Sequence, residues 1–242
     1  DEACKEREKY LSYSKNYIGQ LESLQNADLF CLPVQMIAQS FIQQFFAIDV
    51  ILANAFNMSV AGWKRPIMAS GANLLYRRTS FLSYDRFEYH EQEASGDDVF
   101  LLRDFRYYGA KISLITDSKY AVQTETPQSL QELLNQRMRW ISKTQLLGDP
   151  LNSCIALFQL TITFVFAFIL IFAVLISYQE AMKLFILKSL LDLMLFFSFF
   201  KRSKQLKTWF IIPIYEVVLP IYSLLVVLLL KWYRPVWKGR TI

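Results

Sequence analysis

The sequence is poor in the residues that carry most metal and nucleophilic chemistry. Its 242 residues include one histidine and three cysteines. His90 stands alone in a charged segment, which argues against Ser-His-Asp, Cys-His and multi-histidine metal chemistry. Cys4, Cys31 and Cys154 are odd in number, widely spaced and without a CxxC pair. Neither a disulfide framework nor a zinc site is therefore expected, and a reducing compartment is the simpler assignment.

A strong charge of one sign is also lacking. The formal net charge is +5, and the basic residues gather near apolar runs and at the C-terminus. Lipid headgroups explain this distribution better than nucleic acid, so we expect a membrane and no nucleic acid as partner. Glycine is scarce, with seven residues, whereas 54% of the residues are hydrophobic and 16% aromatic. This composition favours a chain that is part soluble and part membrane-embedded.

Past Pro150 the chain becomes strongly apolar. Residues 155–177 contain no charged side chain. At ~1.5 Å of rise per residue, this run is long enough to cross a hydrocarbon core of ~30 Å. We therefore predict a transmembrane helical region over residues 151–242, with about three spans and a basic tail. The predicted spans lie near 155–177, 184–200 and 209–230.

The second and third predicted spans contain ionisable residues and prolines. Lys188 and Asp192 are spaced so that they either neutralise each other or face the interior of a helix bundle. Pro213, Glu216 and Pro220 interrupt the third span. A kinked or partly re-entrant helix is therefore predicted there.

Basic clusters indicate the orientation of the chain. One precedes the first span and another follows the second at residues 201–204. Both favour the cytoplasmic side, and two intervening crossings allow this. A complete third crossing would place the basic tail at residues 231–240 outside. Either the third segment does not cross fully, or the tail departs from the positive-inside rule.

Residues 1–150 alternate helical and strand patterns, which predicts an α/β domain. The predicted elements are a helix over 5–26, a strand over 27–34, a helix over 35–60, an extended segment over 66–78 with a turn at Ser70-Gly71, a helix opening at Gly96-Asp97-Asp98, short strands over 111–122 and a helix starting at Thr126-Pro127. The helix over 35–60 has a broad Phe-rich face. Core packing is the default interpretation of that face, and a position on the membrane surface is the alternative.

The pentapeptide Gln136-Arg137-Met138-Arg139-Trp140 ends the soluble-looking half. In a helix, Gln136, Arg139 and Trp140 fall at i, i+3 and i+4, so an amide, a guanidinium and an indole share one face. Such a face suits recognition of an anion and a ring. The alternative is an ordinary juxtamembrane helix, in which Trp140 joins the interfacial aromatic belt and Arg137 and Arg139 mark the cytoplasmic side.

The pair Asp97-Asp98, followed about forty residues later by Gln136–Trp140, resembles the family 2 membrane glycosyltransferases. These are inverting enzymes related to cellulose, chitin and hyaluronan synthases and to ceramide glucosyltransferases. Asp97-Asp98 stands where the family has an acidic pair ending in the catalytic aspartate, although a helix macrodipole also favours acids in a first turn. The pentapeptide stands where the family has its QxxRW signature.

Two further stretches carry the same resemblance. Ser70-Gly71-Ala72-Asn73, with Tyr76-Arg77-Arg78, looks like the family's segment beside the acceptor, and Trp237-Lys238-Gly239-Arg240 is similar to tails of bacterial members. The resemblance implies that residues 1–150 are the C-terminal part of a GT-A-type nucleotide-diphospho-sugar transferase domain. It also implies the cytoplasmic membrane of a bacterium, with the catalytic part facing the cytoplasm.

The expected metal site departs from the family pattern. The family's DxD motif falls where Asp1-Glu2-Ala3 begins, so Ala3 replaces the second aspartate. The resemblance implies a divalent metal, Mg²⁺ or Mn²⁺, with Asp1 as candidate ligand. Either Glu2 substitutes, or the motif lies further upstream, or metal binding is weak. Because the chain starts at Asp1 without Met, we expect a longer protein whose preceding part holds the uridine site.

The resemblance implies transfer of a hexose from a nucleotide sugar, with a UDP-sugar as the expected donor. A single inverting displacement needs a base for the acceptor hydroxyl and a stabiliser for the leaving diphosphate. Asp98 is the candidate base, with Asp97 as an adjoining like charge, and Arg139 suits phosphate oxygens because its guanidinium is a planar fork. Trp140 offers a ring face to a sugar. The candidate substrate-binding residues are Gln136, Arg139, Trp140, Ser70, Gly71 and Asn73.

A site just before a membrane span suits an acceptor that arrives from the bilayer. We therefore expect a lipid-linked or glycan acceptor and a role in polysaccharide or glycolipid synthesis, with partner subunits as one way of building a larger assembly. Ala3 motivates an alternative, a non-catalytic glycosyltransferase-like scaffold or assembly subunit. Lys188, Asp192 and Glu216 motivate another, a transporter component.

Overall fold

The computed structural model describes residues 19, 21–62, 66–84, 96–230, 232–233, 236–237 and 240–241. The strands are β1 (Leu29–Cys31), β2 (Val34–Ile37), β3 (Leu74–Tyr76), β4 (Ile112–Leu114), β5 (Val122–Glu125), β6 (Val236–Trp237) and β7 (Arg240–Thr241). The helices are α1 (Phe41–Ala61), α2 (Arg78–Tyr84), α3 (Asp97–Tyr107), α4 (Leu130–Leu147), α5 (Pro150–Ile176), α6 (Tyr178–Arg202), α7 (Leu206–Trp209) and α8 (Ile212–Leu229). His90, Asp1 and most of the predicted helix over 5–26 lie outside these residues.

A small mixed sheet forms the centre of the upstream half. β1 pairs antiparallel with β3 and parallel with β4. One side of β1, with Leu29 and Cys31, packs against Leu101, Leu102 and Phe105 of α3. Burial raises the pKa of the Cys31 thiol to about 12, so this cysteine behaves as a small apolar side chain. The sheet thus holds α3, the helix that begins with the acidic pair.

The predicted strand over 27–34 is two strands in two sheets. Pro33 follows β1 and has no N–H for a ladder hydrogen bond, so the pairing of β1 ends there. β2 begins at the next residue and pairs in parallel with β5, and the Pro33 carbonyl accepts a hydrogen bond from the Val122 amide at 3.1 Å. The described chain is mostly helical with small sheets.

Helix α1 joins the two halves of the chain. A capping box between Ser40 and Gln43 fixes its start. Its inward face packs against α6, α7 and α8 in one apolar core, whose buried members are Ala47, Ile48, Ile51, Phe200, Ile211, Ile212 and Tyr215. Core packing of this face, the default prediction, is confirmed. The buried residues that α1 meets in this core come from the C-terminal helices.

Three helices in the described part of the chain are long and apolar enough to cross a membrane, which supports membrane association. They are α1, α5 and α8. Helices α5 and α8 coincide with the predicted spans near 155–177 and 209–230. The predicted span near 184–200 lies inside α6, which has six charged residues and is not among the three. Ser177 alone separates α5 from α6, so these two helices form a tight hairpin.

The ionisable residues of α6 and α8 form one cluster. Lys188 Nζ lies 2.5 Å from Asp192 Oδ2 and 3.1 Å from Glu216 Oε1. Ser189 Oγ donates a hydrogen bond to Glu216 Oε2 at 3.2 Å. Lys188 and Asp192 therefore neutralise each other and also face a neighbouring helix, as the spacing predicted.

Asn57 ties the end of α1 to the segment that leads to β3. Its Oδ1 accepts hydrogen bonds from the Ile67 and Met68 amides at 2.8 and 3.0 Å, and its Nδ2 donates to the Met68 carbonyl at 2.8 Å. Asn57 is buried, so these backbone groups have no easy alternative in solvent.

We expect Asn57→Ala to lower the free energy of unfolding by about 1–3 kcal/mol, because buried donors and an acceptor lose their partners. Asn54→Ala is the matched control, since Asn54 lies one turn earlier on α1 and is only half-buried. Thermal unfolding of the protein in detergent measures the difference. Equal melting temperatures for the two variants would contradict this role of Asn57.

Candidate functional site

The turn at residues 70–73 lies against the start of α3. The Asn73 amide donates to the Ser70 carbonyl at 3.0 Å and closes the turn. The exposed Gly71 presents its N–H to Asp98 Oδ2 at 3.0 Å. Two segments that sequence reasoning assigned to one site, the stretch around Ser70 and the acidic pair, are therefore in contact.

The two adjacent aspartates point to different surroundings. Asp98 is half-buried, and its Oδ1 accepts from the Val99 amide at 3.0 Å while its Oδ2 binds the Gly71 amide. Asp97 is exposed to solvent. Asp98 is thus the carboxylate that faces the turn.

Gly96 sets the direction in which α3 begins. Its φ of +124° is a conformation that side-chain-bearing residues rarely adopt, and a Cβ would lie 3.0 Å from Phe100 Cε2. Phe100 is itself buried. The glycine before the acidic pair therefore fixes where Asp98 is held.

Helix α4 packs against α3, and the charge of Arg139 interacts with that of Asp98. Burial lowers the pKa of Arg139, and the charge of Asp98 works in the opposite direction. A carboxylate from the first turn of α3 and a partly buried guanidinium from α4 thus come together beside the turn at residues 70–73. This arrangement can accept a proton at the carboxylate and stabilise an anion at the guanidinium.

The other arginine of the pentapeptide faces the opposite way. Residues two apart on an α-helix are about 200° apart around its axis. Arg137 forms an ion pair with Asp49 of α1, and its Nε donates to the Tyr222 hydroxyl of α8 at 3.2 Å. Its guanidinium also lies 5.5 Å from the centre of the Trp140 ring.

Sequence reasoning missed Asp49, Tyr215 and Tyr222. The Tyr215 hydroxyl donates to Asp49 Oδ1 at 2.7 Å, so two tyrosines of α8 reach this ion pair. The sequence did contain a signal for Asp49, which is the single charged residue among the 21 residues of α1. An acid inside an apolar helix usually has a partner or a function.

Gln136 lies in a polar cleft of about 220 Å³ at the start of α4. The cleft is lined by Glu125, Thr126, Pro127, Gln128, Glu132 and Gln136. Two carboxylates in this lining disfavour phosphate oxygens and suit hydroxyl donors. As a ligand of Gln136, a sugar therefore fits the cleft better than a phosphate group does.

Asn73 holds the turn rather than facing the open site. The residue is buried, and its Nδ2 donates to the Pro33 carbonyl at 2.8 Å and the Tyr120 carbonyl at 2.9 Å. The side chain therefore positions Ser70 and Gly71, although the resemblance implied contact with a substrate.

The candidate metal ligand, Asp1, falls outside the residues that the structure describes, as do Glu2 and Ala3. Within the described ranges, no group of three or more His, Cys, Asp or Glu residues is placed to hold a metal. Asp97 and Asp98 alone do not provide such a ligand set.

One comparison with known proteins identifies a family. The model of a family described as glycosyl transferase family group 2 matches residues 16–233. No curated protein and no solved structure matches the chain. The family match covers the turn, the acidic pair, α4 and the C-terminal helices together.

We expect Gly96→Ala to reduce activity and stability together, because the added methyl group meets Phe100 and the backbone is strained. Gly109→Ala is the matched control, since Gly109 also has a positive φ, of +70°, but nothing lies within 4 Å of its Cβ position. The backbone strain alone is worth about 1–2 kcal/mol. Specific activity per folded molecule should fall in the first variant and hold in the second. An equal loss in both would show that contact with Phe100 does not matter.

Proposed function

Since the chain belongs to glycosyl transferase family group 2 and is therefore a glycosyltransferase, we propose that it is a membrane-bound inverting enzyme. It transfers a hexose from a nucleotide sugar, a UDP-sugar in the simplest case, to a lipid-linked or glycan acceptor. The catalytic half has a GT-A-type fold. The observation that carries the proposal is the packing of α3 on α4 beside the turn at residues 70–73, where Asp98 binds Gly71 and its charge interacts with that of Arg139.

The reaction is a single displacement at the anomeric carbon. The acceptor hydroxyl forms the new glycosidic bond as the bond to the diphosphate breaks, and Asp98 takes the hydroxyl proton. Arg139 faces the negative charge that develops on the leaving diphosphate.

A divalent metal often assists members of this family. When bound, it would neutralise charge on the leaving diphosphate. In this chain Asp1 is the proposed metal ligand. Among the described residues, Arg139 would help to neutralise the charge on the leaving diphosphate.

Gln136 and its cleft support binding of a sugar. The cleft adjoins the helix face that carries Arg139, one turn further along α4. Gln136 would hydrogen-bond a sugar hydroxyl there, and Trp140 would offer its ring to an apolar sugar face. Lys188, Asp192 and Glu216 pair with one another, so they no longer favour the alternative of a transporter component.

The contacts of α8 bear on the orientation that the basic clusters left open. Near its start, Tyr215 binds Asp49 of α1, and further along Tyr222 binds Arg137 of α4. Beyond its end, the Tyr233 hydroxyl donates to Asn135 Oδ1 of α4 at 3.2 Å. A helix that left the catalytic half to cross a ~30 Å core would carry Tyr233 away from α4. We therefore propose that α8 is re-entrant or lies at the interface, so the basic tail stays cytoplasmic.

Helix α1 also contacts the catalytic half at both of its ends. Gln43 Nε2 near its start donates to Gln128 Oε1 at 2.7 Å, and Asn57 near its end binds residues 67 and 68. Both ends contact the catalytic half, so the helix lies along the membrane surface with Phe41 and Ile42 exposed toward lipid.

We expect Asp98→Asn to lower the rate of nucleoside diphosphate release from the correct nucleotide sugar by about 10²-fold, the scale for loss of a general base. Asp97→Asn is the neighbouring control and should lose less, because that side chain is exposed and turned from Gly71. The rates are measured on full-length protein in membranes. Equal rates for Asp98→Asn and wild type would overturn the assignment of the base. A wild type that neither turns over nor binds nucleotide would favour the scaffold alternative.

For orientation, we expect Trp232→Cys and Ser177→Cys to be labelled from opposite sides of the membrane by an impermeant maleimide. A re-entrant or interfacial α8 leaves residue 232 in the cytoplasm, whereas the α5–α6 turn at residue 177 reaches the far side. Replacing Cys4 and the exposed Cys154 by serine first removes background labelling, since Cys31 is buried. Labelling of both positions from the far side would mean that α8 crosses completely.

A further inference from the structure

We propose that Arg137 is a positioning residue for the transfer reaction. Its ion pair with Asp49 and its hydrogen bond to Tyr222 fix the rotation of α4 about its axis, and this rotation aims Arg139 at Asp98. The proposal rests on the proposed function, because it assumes that Arg139 acts on the leaving diphosphate. Arg137 contacts Asp49, Tyr222 and Trp140, so it would act through Arg139 rather than on the reacting groups.

Three elements meet at Arg137. Asp49 comes from α1, Tyr222 from α8 and Trp140 from α4 itself. Tyr215 of α8 adds a second hydrogen bond to Asp49. The Arg137 guanidinium is therefore held from several directions. Such contacts restrain the rotation of α4 about its axis as well as its distance from α1 and α8.

The ion pair is shielded from solvent. The side chains of Arg137 and Asp49 are 21% and 13% exposed. Screening by water and salt is therefore weaker than for a surface pair, and removal of one partner leaves an uncompensated charge. Loss of either partner would therefore let α4 rotate so that solvent reaches the remaining charge.

A small rotation is enough to matter. The ends of helix side chains lie roughly 5–6 Å from the helix axis, so a turn of about 20° moves them by about 2 Å. A misplacement of ~1 Å in a catalytic group can cost ~10²-fold in rate. Arg139, on the opposite face of the same helix, would move by that amount relative to Asp98.

The chain contains a matched control. Arg106 of α3 forms an ion pair with Asp149 at 2.8 Å, and these side chains are 19% and 13% exposed. The burial is nearly the same as that of the Arg137–Asp49 pair. Arg106 lies at the far end of α3 from Asp98, and Asp149 caps α5 just beyond the end of α4. Loss of this pair should therefore loosen the helix ends while leaving the contacts of Arg137 in place.

The experiment compares Asp49→Asn, Arg137→Gln, Tyr222→Phe and Arg106→Gln in the full chain in membranes. We expect the first two to lower kcat by about 10- to 100-fold with less than about a threefold change in donor KM, since Arg139 acts mainly on the developing charge. Tyr222→Phe removes one hydroxyl, so it keeps the fold and should show a smaller loss in the same direction. Arg106→Gln should keep its kcat per folded molecule.

Combination with Arg139→Lys separates positioning from simple support of the fold. If Asp49 acts through Arg139, then Asp49→Asn should lower kcat by less than about threefold in the Arg139→Lys background. A merely structural role predicts the same fold-loss in both backgrounds. That result, or equal kcat losses in Arg137→Gln and Arg106→Gln, would overturn the proposal.

Binding of a nucleoside diphosphate, UDP, is measured by calorimetry. This measurement tests the positioning role without requiring sugar transfer. If wild type binds UDP but transfers no sugar, the proposed function fails, while weaker binding by Asp49→Asn and unchanged binding by Arg106→Gln would still support positioning of Arg139. Equal UDP affinity for wild type, Asp49→Asn and Arg139→Lys in such a protein would overturn the positioning role.

Discussion

The ion pair between Asp49 and Arg137 connects the two halves of this molecule. One partner belongs to an apolar helix that shares its core with the C-terminal helices, and the other belongs to the helix that carries the QxxRW-like pentapeptide. A charge pair at such a boundary is costly to leave incomplete, because neither lipid nor the protein core solvates a lone charge well. The relative arrangement of site and membrane helices therefore depends on this contact more than on any single apolar one.

The boundary between soluble and membrane parts is sharp in sequence but not in space. Composition changes at Pro150, yet α1 from the upstream half shares one core with α6, α7 and α8. Polar contacts add to this connection, since Gln35 Nε2 donates to the Ser203 carbonyl at 2.6 Å. The upstream half is thus packed onto the C-terminal helices rather than attached by a linker.

Local patterns predicted most of the elements that carry the site. The spacing of Gln136, Arg139 and Trp140 predicted a shared helix face, and Asp98 does lie in the first turn of a helix. Long-range pairing was harder to read. Asp49 and Tyr215 are 166 residues apart, and Asn73 and Tyr120 are 47 apart. Neither hydropathy nor periodicity shows which distant residues meet. The contact of α4 with Asp49 and the buried hydrogen bonds of Asn73 are therefore seen only in the fold.

The hairpin of α5 and α6 turns through a single extended residue, Ser177. If α8 stays with the catalytic half, this turn is what the described part of the chain presents beyond the bilayer. A turn of one residue leaves little freedom between the two helices, so within the described residues α5 and α6 would move as one unit.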